Sequence, residues 1–143
     1  TGAFAVIMLV ILILVWYAAS AVIIKQDTLP FSLLLIPVVS RCLTAYATAT
    51  LPPMEQSGYV RMYQQDTRTS HKAFILLLTI AAFMLSWMIG GISGLIISGF
   101  VLAGFVGALA YAWHEFHGMS GDLSGFALVF SELCGLLACA IIV

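Results

Sequence analysis

The stretch from Ala73 to Trp113 carries no charged residue and almost no polar one. At about 1.5 Å per residue, one helix of that length would run roughly 60 Å, twice the ~30 Å hydrocarbon core of a bilayer. A run this apolar has no polar face to offer water, so lipid is its solvent, and in lipid it must double back. Gly90-Gly91, followed by Ser93-Gly94, is the natural reversal point, because glycine tolerates backbone conformations that other residues avoid. The same reasoning extends along the chain. Ala3 to Ile24 is nearly unbroken apolar, Pro30 to Thr50 is interrupted only at Arg41, and Leu123 to Val143 carries one charge, Glu132. None of these runs shows the ten-residue alternation of a barrel strand.

The sequence therefore predicts an all-α, polytopic transmembrane helix bundle of about five spans, near residues 3–24, 30–50, 73–90, 92–113 and 123–143, forming a single domain over 1–143. Composition agrees: 63% of the residues are hydrophobic and 8% charged, where a soluble domain has about a quarter charged. The polar stretch from Leu51 to Lys72, with Pro52-Pro53, Arg61, Arg68 and Lys72, reads as a loop outside the hydrocarbon. Three of its residues are basic, against Lys25 alone in the loop before the second span, so the positive-inside rule places the 51–72 loop in the cytoplasm. The N-terminus and the His114–Asp122 loop then share that side. A net charge of −1 leaves no basic face for nucleic acid. The three cysteines, Cys42, Cys134 and Cys139, lie in apolar runs and read as packed thiols.

Two ionisable residues sit at membrane depth. Arg41 and Glu132 each lie about ten residues into a span, where an unpaired charge costs ~2.5–3.5 kcal/mol or more. The pair reads either as an interhelical ion pair or as the lining of a polar cavity that anchors a substrate. In the fourth span, small residues recur at Gly99, Ala103 and Gly107, with Gly104, Ala108 and Ala112 beside them, a pattern suited to close helix contact. Gly121, Gly125, Leu128, Glu132, Gly135 and Cys139 make a similar stripe on the fifth.

Gly118-Met119-Ser120-Gly121-Asp122-Leu123-Ser124-Gly125 opens the fifth span. Asp122 reads either as the N-cap of that helix or as a functional carboxylate, and the amides around Ser120 and Gly121 suit a phosphate. His114 and His117, three residues apart with Glu115 between them, could touch one metal, but a third strong ligand is missing nearby and they read as solvated rather than as a metal site.

This glycine-rich segment resembles the C-terminal signature of the cobalamin synthase (adenosylcobinamide-GDP ribazoletransferase) family, Gly-Gly-x-Thr-Gly-Asp-x-x-Gly-Ala. Gly118, Gly121, Asp122 and Gly125 stand at matching positions, Ser120 stands for the threonine, Phe126 replaces the alanine, and Glu132 matches a downstream acid. Pro37 and Arg41 resemble the family's Ala-Pro-x-x-Gly-Arg, and Leu51-Pro52 with Gly58 a further motif in which Pro53-Met54-Glu55 replaces Tyr-Ala-Arg. The resemblance implies a membrane-bound transferase of cobalamin biosynthesis, in the bacterial inner membrane. It would join adenosylcobinamide-GDP to α-ribazole or its 5′-phosphate and release GMP, with Mg²⁺ as cofactor. Asp122 and Arg41 would be catalytic, Ser120 and Gly121 cofactor-binding, and Glu132 with Arg41 substrate-binding or a structural ion pair. The main metal ligands are expected upstream of Thr1, which makes this the C-terminal part of a longer chain. It would associate with that upstream part or with a second copy. The competing readings are a transporter or channel subunit built on Arg41 and Glu132, and a structural membrane subunit.

Overall fold

The computed structural model describes residues 3–25, 30–54 and 57–142. Five helices follow one another: α1 (Ala3–Lys25), α2 (Pro30–Thr50), α3 (Gly58–Asp66), α4 (Thr69–Phe116) and α5 (Gly121–Ile142). Among the described residues there is no strand. Three helices, α2 over Leu33–Thr50, α4 and α5, are long and apolar enough to cross a membrane. The apolar α1 packs alongside them, mainly on α5.

The 48-residue α4 does what its length demands. Gly91 takes φ 57° and ψ −139°, a conformation outside any helix and open in practice to glycine alone. The two arms, 69–90 and 92–116, fold against each other there. The Ser86 hydroxyl donates to the Gly94 carbonyl at 2.9 Å, and the Ser98 hydroxyl donates to Ser86 Oγ at 2.7 Å. In a straight helix, residues eight and twelve apart would stand about 12 and 18 Å apart, so these bonds exist only because the chain reverses. Gly94 lies so close to the Ser86 carbonyl that a Cβ there would collide with it.

Packing in the bundle follows the small residues. Gly104 faces Cys134, where an added Cβ would stand only 2.8 Å from Cys134 Sγ, and Gly135 abuts Val101 and Ile36. The Gly104–Ala108–Ala112 row of α4 is buried, as expected for a helix contact. The neighbouring Gly99–Ala103–Gly107 row is not: all three are exposed, and Gly99 and Gly107 have open space beyond them. Both rows cannot face one partner helix, and α5 takes the first. On α2 the stripe Ile36, Val39, Ser40, Leu43 and Ala47 is buried, while Leu34, Val38 and Arg41 face outward. Large side chains such as Met88 and Ile92 are more than three-quarters exposed, as a lipid-facing surface requires and a water-facing one does not tolerate. The three cysteines are free thiols.

The 51–72 segment departs from its expectation as a plain loop. It contains α3, a nine-residue helix laid against the end of α2. Val60 is fully buried there, and the Gln64 amide donates to the carbonyls of Thr48 at 2.8 Å and Leu51 at 2.6 Å. Thr48 lies in the last turn of α2 and Leu51 just after it, where helix carbonyls run out of backbone partners. The polar break at 26–29 and Glu55 fall outside the described residues.

Candidate functional site

Glycine placement brings two distant segments together at one end of the bundle. His117 ends α4 in the left-handed conformation (φ 51°), its amide donating to the Trp113 carbonyl at 2.9 Å. The chain then passes directly beneath the segment that follows α2. Met119 N–H donates to Pro52 O at 2.8 Å, and Met54 N–H donates to Met119 O at 2.9 Å. Gly118 makes this crossing possible, because a Cβ there would stand 2.9 Å from Met54 Cα. Met119 itself is fully buried.

From this crossing α5 starts. Ser120 is its N-cap: Leu123 N–H donates to Ser120 Oγ at 3.2 Å. Asp122 is therefore not the cap, although the sequence allows it. Its carboxylate stands exposed in the first turn of α5, where the helix dipole favours a negative charge, and it accepts no hydrogen bond among the described residues. Beside it opens a cavity of about 770 Å³, lined by Ser120 and the first turns of α5 (Gly121, Asp122, Leu123 and Phe126), by Tyr111, Ala112 and Phe116 from α4, and by Met54, Ser57 and Gly58 at the start of α3 and just before it. The sequence singles out Ser120, Gly121 and Asp122. It does not reveal the aromatic wall of Tyr111, Phe116 and Phe126, whose residues, unlike a glycine run, carry no pattern apart from lipid-facing apolar residues.

The membrane-depth charges are arranged differently from the sequence expectation. Glu132 is buried, and its Oε1 accepts a hydrogen bond from the Ser40 hydroxyl at 2.8 Å. Ser40 lies within hydrogen-bond reach of the Pro37 carbonyl as well, at 3.1 Å. Arg41 is on the outward side of α2. Among the described residues the one ion pair is His114–Glu115, at 3.8 Å and well exposed, so the Arg41–Glu132 pair does not form. The reason is angular. Adjacent residues on a helix point about 100° apart, and it is Ser40, one step before Arg41, that meets α5. Nor does Arg41 line the Asp122 cavity: nine residues of helix, about 13 Å, separate it from the end of α2. The α5 stripe is buried at Glu132, Gly135 and Cys139 and open at Gly121 and Gly125, where the cavity begins. Among the described residues no three His, Cys, Asp or Glu side chains cluster as metal ligands.

The profile of the cobalamin-5-phosphate synthase family matches residues 1–140. The chain belongs to that family. Curated relatives agree across the same length of this family member. An adenosylcobinamide-GDP ribazoletransferase of Clostridium botulinum (strain Eklund 17B / Type B) is 29% identical over 138 residues, covering 96% of this chain and 55% of the relative. One from Clostridium perfringens (strain 13 / Type A) is 28% identical over 142 residues, covering 99% of this chain and 56% of the relative. The chain thus spans about half the length of the curated relatives it matches. No solved structure matches it.

Proposed function

We propose that the protein acts in cobalamin biosynthesis as a membrane-bound transferase, joining adenosylcobinamide-GDP to α-ribazole or its 5′-phosphate with release of GMP. The observation that carries this reading is the uncommitted Asp122 carboxylate on the wall of a ligand-sized cavity, in a chain whose relatives are named for that reaction. The products fix the bond changes. An acceptor hydroxyl attacks the phosphorus on the cobinamide side of the diphosphate, and the P–O bond to the guanosine phosphate breaks. GMP leaves with the electron pair. Asp122 takes the hydroxyl proton and orients the attacking oxygen, a general-base role worth ~10²–10⁴-fold in rate. The Ser120 hydroxyl, which already accepts from Leu123 N–H, has its own proton to donate to substrate.

Mg²⁺ dependence is part of the proposal. A bound divalent ion would offset charge on phosphoryl oxygens. Asp122 alone does not make a magnesium site. Arg41 is proposed to act from the outward side of α2, on a phosphate or acidic group brought to it. The Asp122 cavity and the 51–72 segment lie at one end of the bundle, and the excess of Arg61, Arg68 and Lys72 over Lys25 supports a cytoplasmic position in a bacterial inner membrane, where nucleotide-activated substrates are found.

The test is Asp122→Asn in the full-length enzyme. Membrane insertion should be unchanged, and product formation, followed by chromatography of the corrinoids, should fall by ~10²-fold or more. Retained activity would remove Asp122 from the reaction.

A further inference from the structure

We infer that the Asp122 cavity receives the flat aromatic base of the acceptor nucleoside, and that the diphosphate of the activated substrate lies outside it. The inference rests on the transferase reading and assigns one of its two substrates to a place. The charge of the cavity speaks first. Among the described residues lining it there is no lysine or arginine, and its one charged group is the Asp122 carboxylate. A diphosphate there would meet a like charge with no cation from the wall. The helix N-terminus offers little in exchange, since Ser120 already caps the Leu123 amide and Asp122 itself fills the first turn as an anion.

The walls speak for the alternative. Tyr111, Phe116 and Phe126 stand exposed around the opening, with Met54 and Leu123 completing an apolar surface. Phe126 is braced by Phe130 one turn along α5, ring centroids 6.1 Å apart. A ring braced in this way stacks on any heteroaromatic base, so it is the lack of a cation, not the stacking, that favours an uncharged nucleoside over a guanosine diphosphate. Polar groups are few and grouped: the Ser120 hydroxyl and the Asp122 carboxylate on one side, Ser57 on another. That combination suits an uncharged aromatic base carrying a sugar, its ring against the aromatic side chains and a sugar hydroxyl toward Asp122. A volume of about 770 Å³ lies in the range of sites for molecules of this size. The attacking hydroxyl would then reach the diphosphate at the cavity rim, not inside.

Full-length protein in lipid nanodiscs tests this with two probes, α-ribazole and adenosylcobinamide-GDP. For Phe126→Ala, and for Phe126→Leu, which keeps most of the volume, the KM for α-ribazole should rise about tenfold for the lost stacking. The KM for adenosylcobinamide-GDP should change less than about twofold, well under the tenfold that each 1.4 kcal/mol of binding represents. Equilibrium dialysis should show the same loss for α-ribazole alone, and GDP should not displace it. A rise confined to the KM for adenosylcobinamide-GDP, displacement of α-ribazole by GDP, or an unchanged α-ribazole KM in both variants would overturn the assignment. Wild-type protein that binds α-ribazole with this Phe126 dependence yet forms no product would instead sink the transferase reading and leave the cavity assigned.

Discussion

Ser40 and Arg41 are neighbours in sequence with opposite fates, and the difference governs what each can contribute. Ser40 is fully buried and binds Glu132, while Arg41 projects outward at membrane depth. Removing the Ser40 hydroxyl strands a buried carboxyl oxygen, and a stranded buried acceptor costs about 1–3 kcal/mol. Ser40→Ala should therefore lower stability by that order in detergent-solubilised unfolding. In double-mutant cycles Ser40 and Glu132 should couple, whereas Arg41 and Glu132 should add to within about 0.5 kcal/mol. Strong Arg41–Glu132 coupling would show that the side chains meet after all. Sequence alone could place both charges at one depth, because depth follows from counting residues. It could not choose between positions 40 and 41, because the azimuth of a helix in a bundle is set by its neighbours. The N-cap of α5 was ambiguous as well, since Ser120 and Asp122 both suit the role. As an N-cap, Asp122 would start α5 at Leu123; the helix starts at Gly121, two residues earlier, and Ser120 takes the role.

Among the helices, the reversal of α4 was the most legible element, since a forty-residue apolar run has to turn and glycine marks where. It also gives the sharpest contrast between nearby glycines. Gly91→Ala places a side chain at a positive φ with open space around it, so the expected loss is backbone strain of about 1–3 kcal/mol. Gly94→Ala meets the Ser86 carbonyl directly and should separate the arms near the turn. Cysteine pairs placed across the 69–90 and 92–116 arms should cross-link efficiently in the parent and in Gly91→Ala, and poorly in Gly94→Ala. Equal yields in all three would contradict the observed closeness at Ser86. The α3 helix was not legible. It is short, lies in a polar stretch behind Pro52-Pro53, and is held by Gln64 and Val60 against α2, contacts that no local pattern announces.

At the scale of the whole molecule, burial is sparse toward the outside and dense along the α2–α4–α5 contacts. Surfaces such as those of Met88 and Ile92 need acyl chains around them. Alkaline carbonate washing should leave the protein in the membrane fraction, and its release into the supernatant would be incompatible with this bundle. The fold class was readable because hydrocarbon thickness is a fixed ruler. The cavity was readable only in part: its polar floor at Ser120–Asp122 stands out in sequence, and its aromatic sides depend on how the ends of α4 and α5 come together.

The two hydrogen bonds joining Met119 to Pro52 and Met54 act as a rivet between the chain leaving α2 and the chain entering α5. Gly118→Val would drive a branched side chain into Met54 and spring that rivet. The amides of Met54 and Met119 should then exchange with deuterium together and much faster than in the parent, while amides at the Gly91 end keep their protection. The intact rivet makes the rim of the cavity a single plate carried on two helices, so a substrate pressing on Asp122 would be felt at the foot of α2 without any side chain having to relay it.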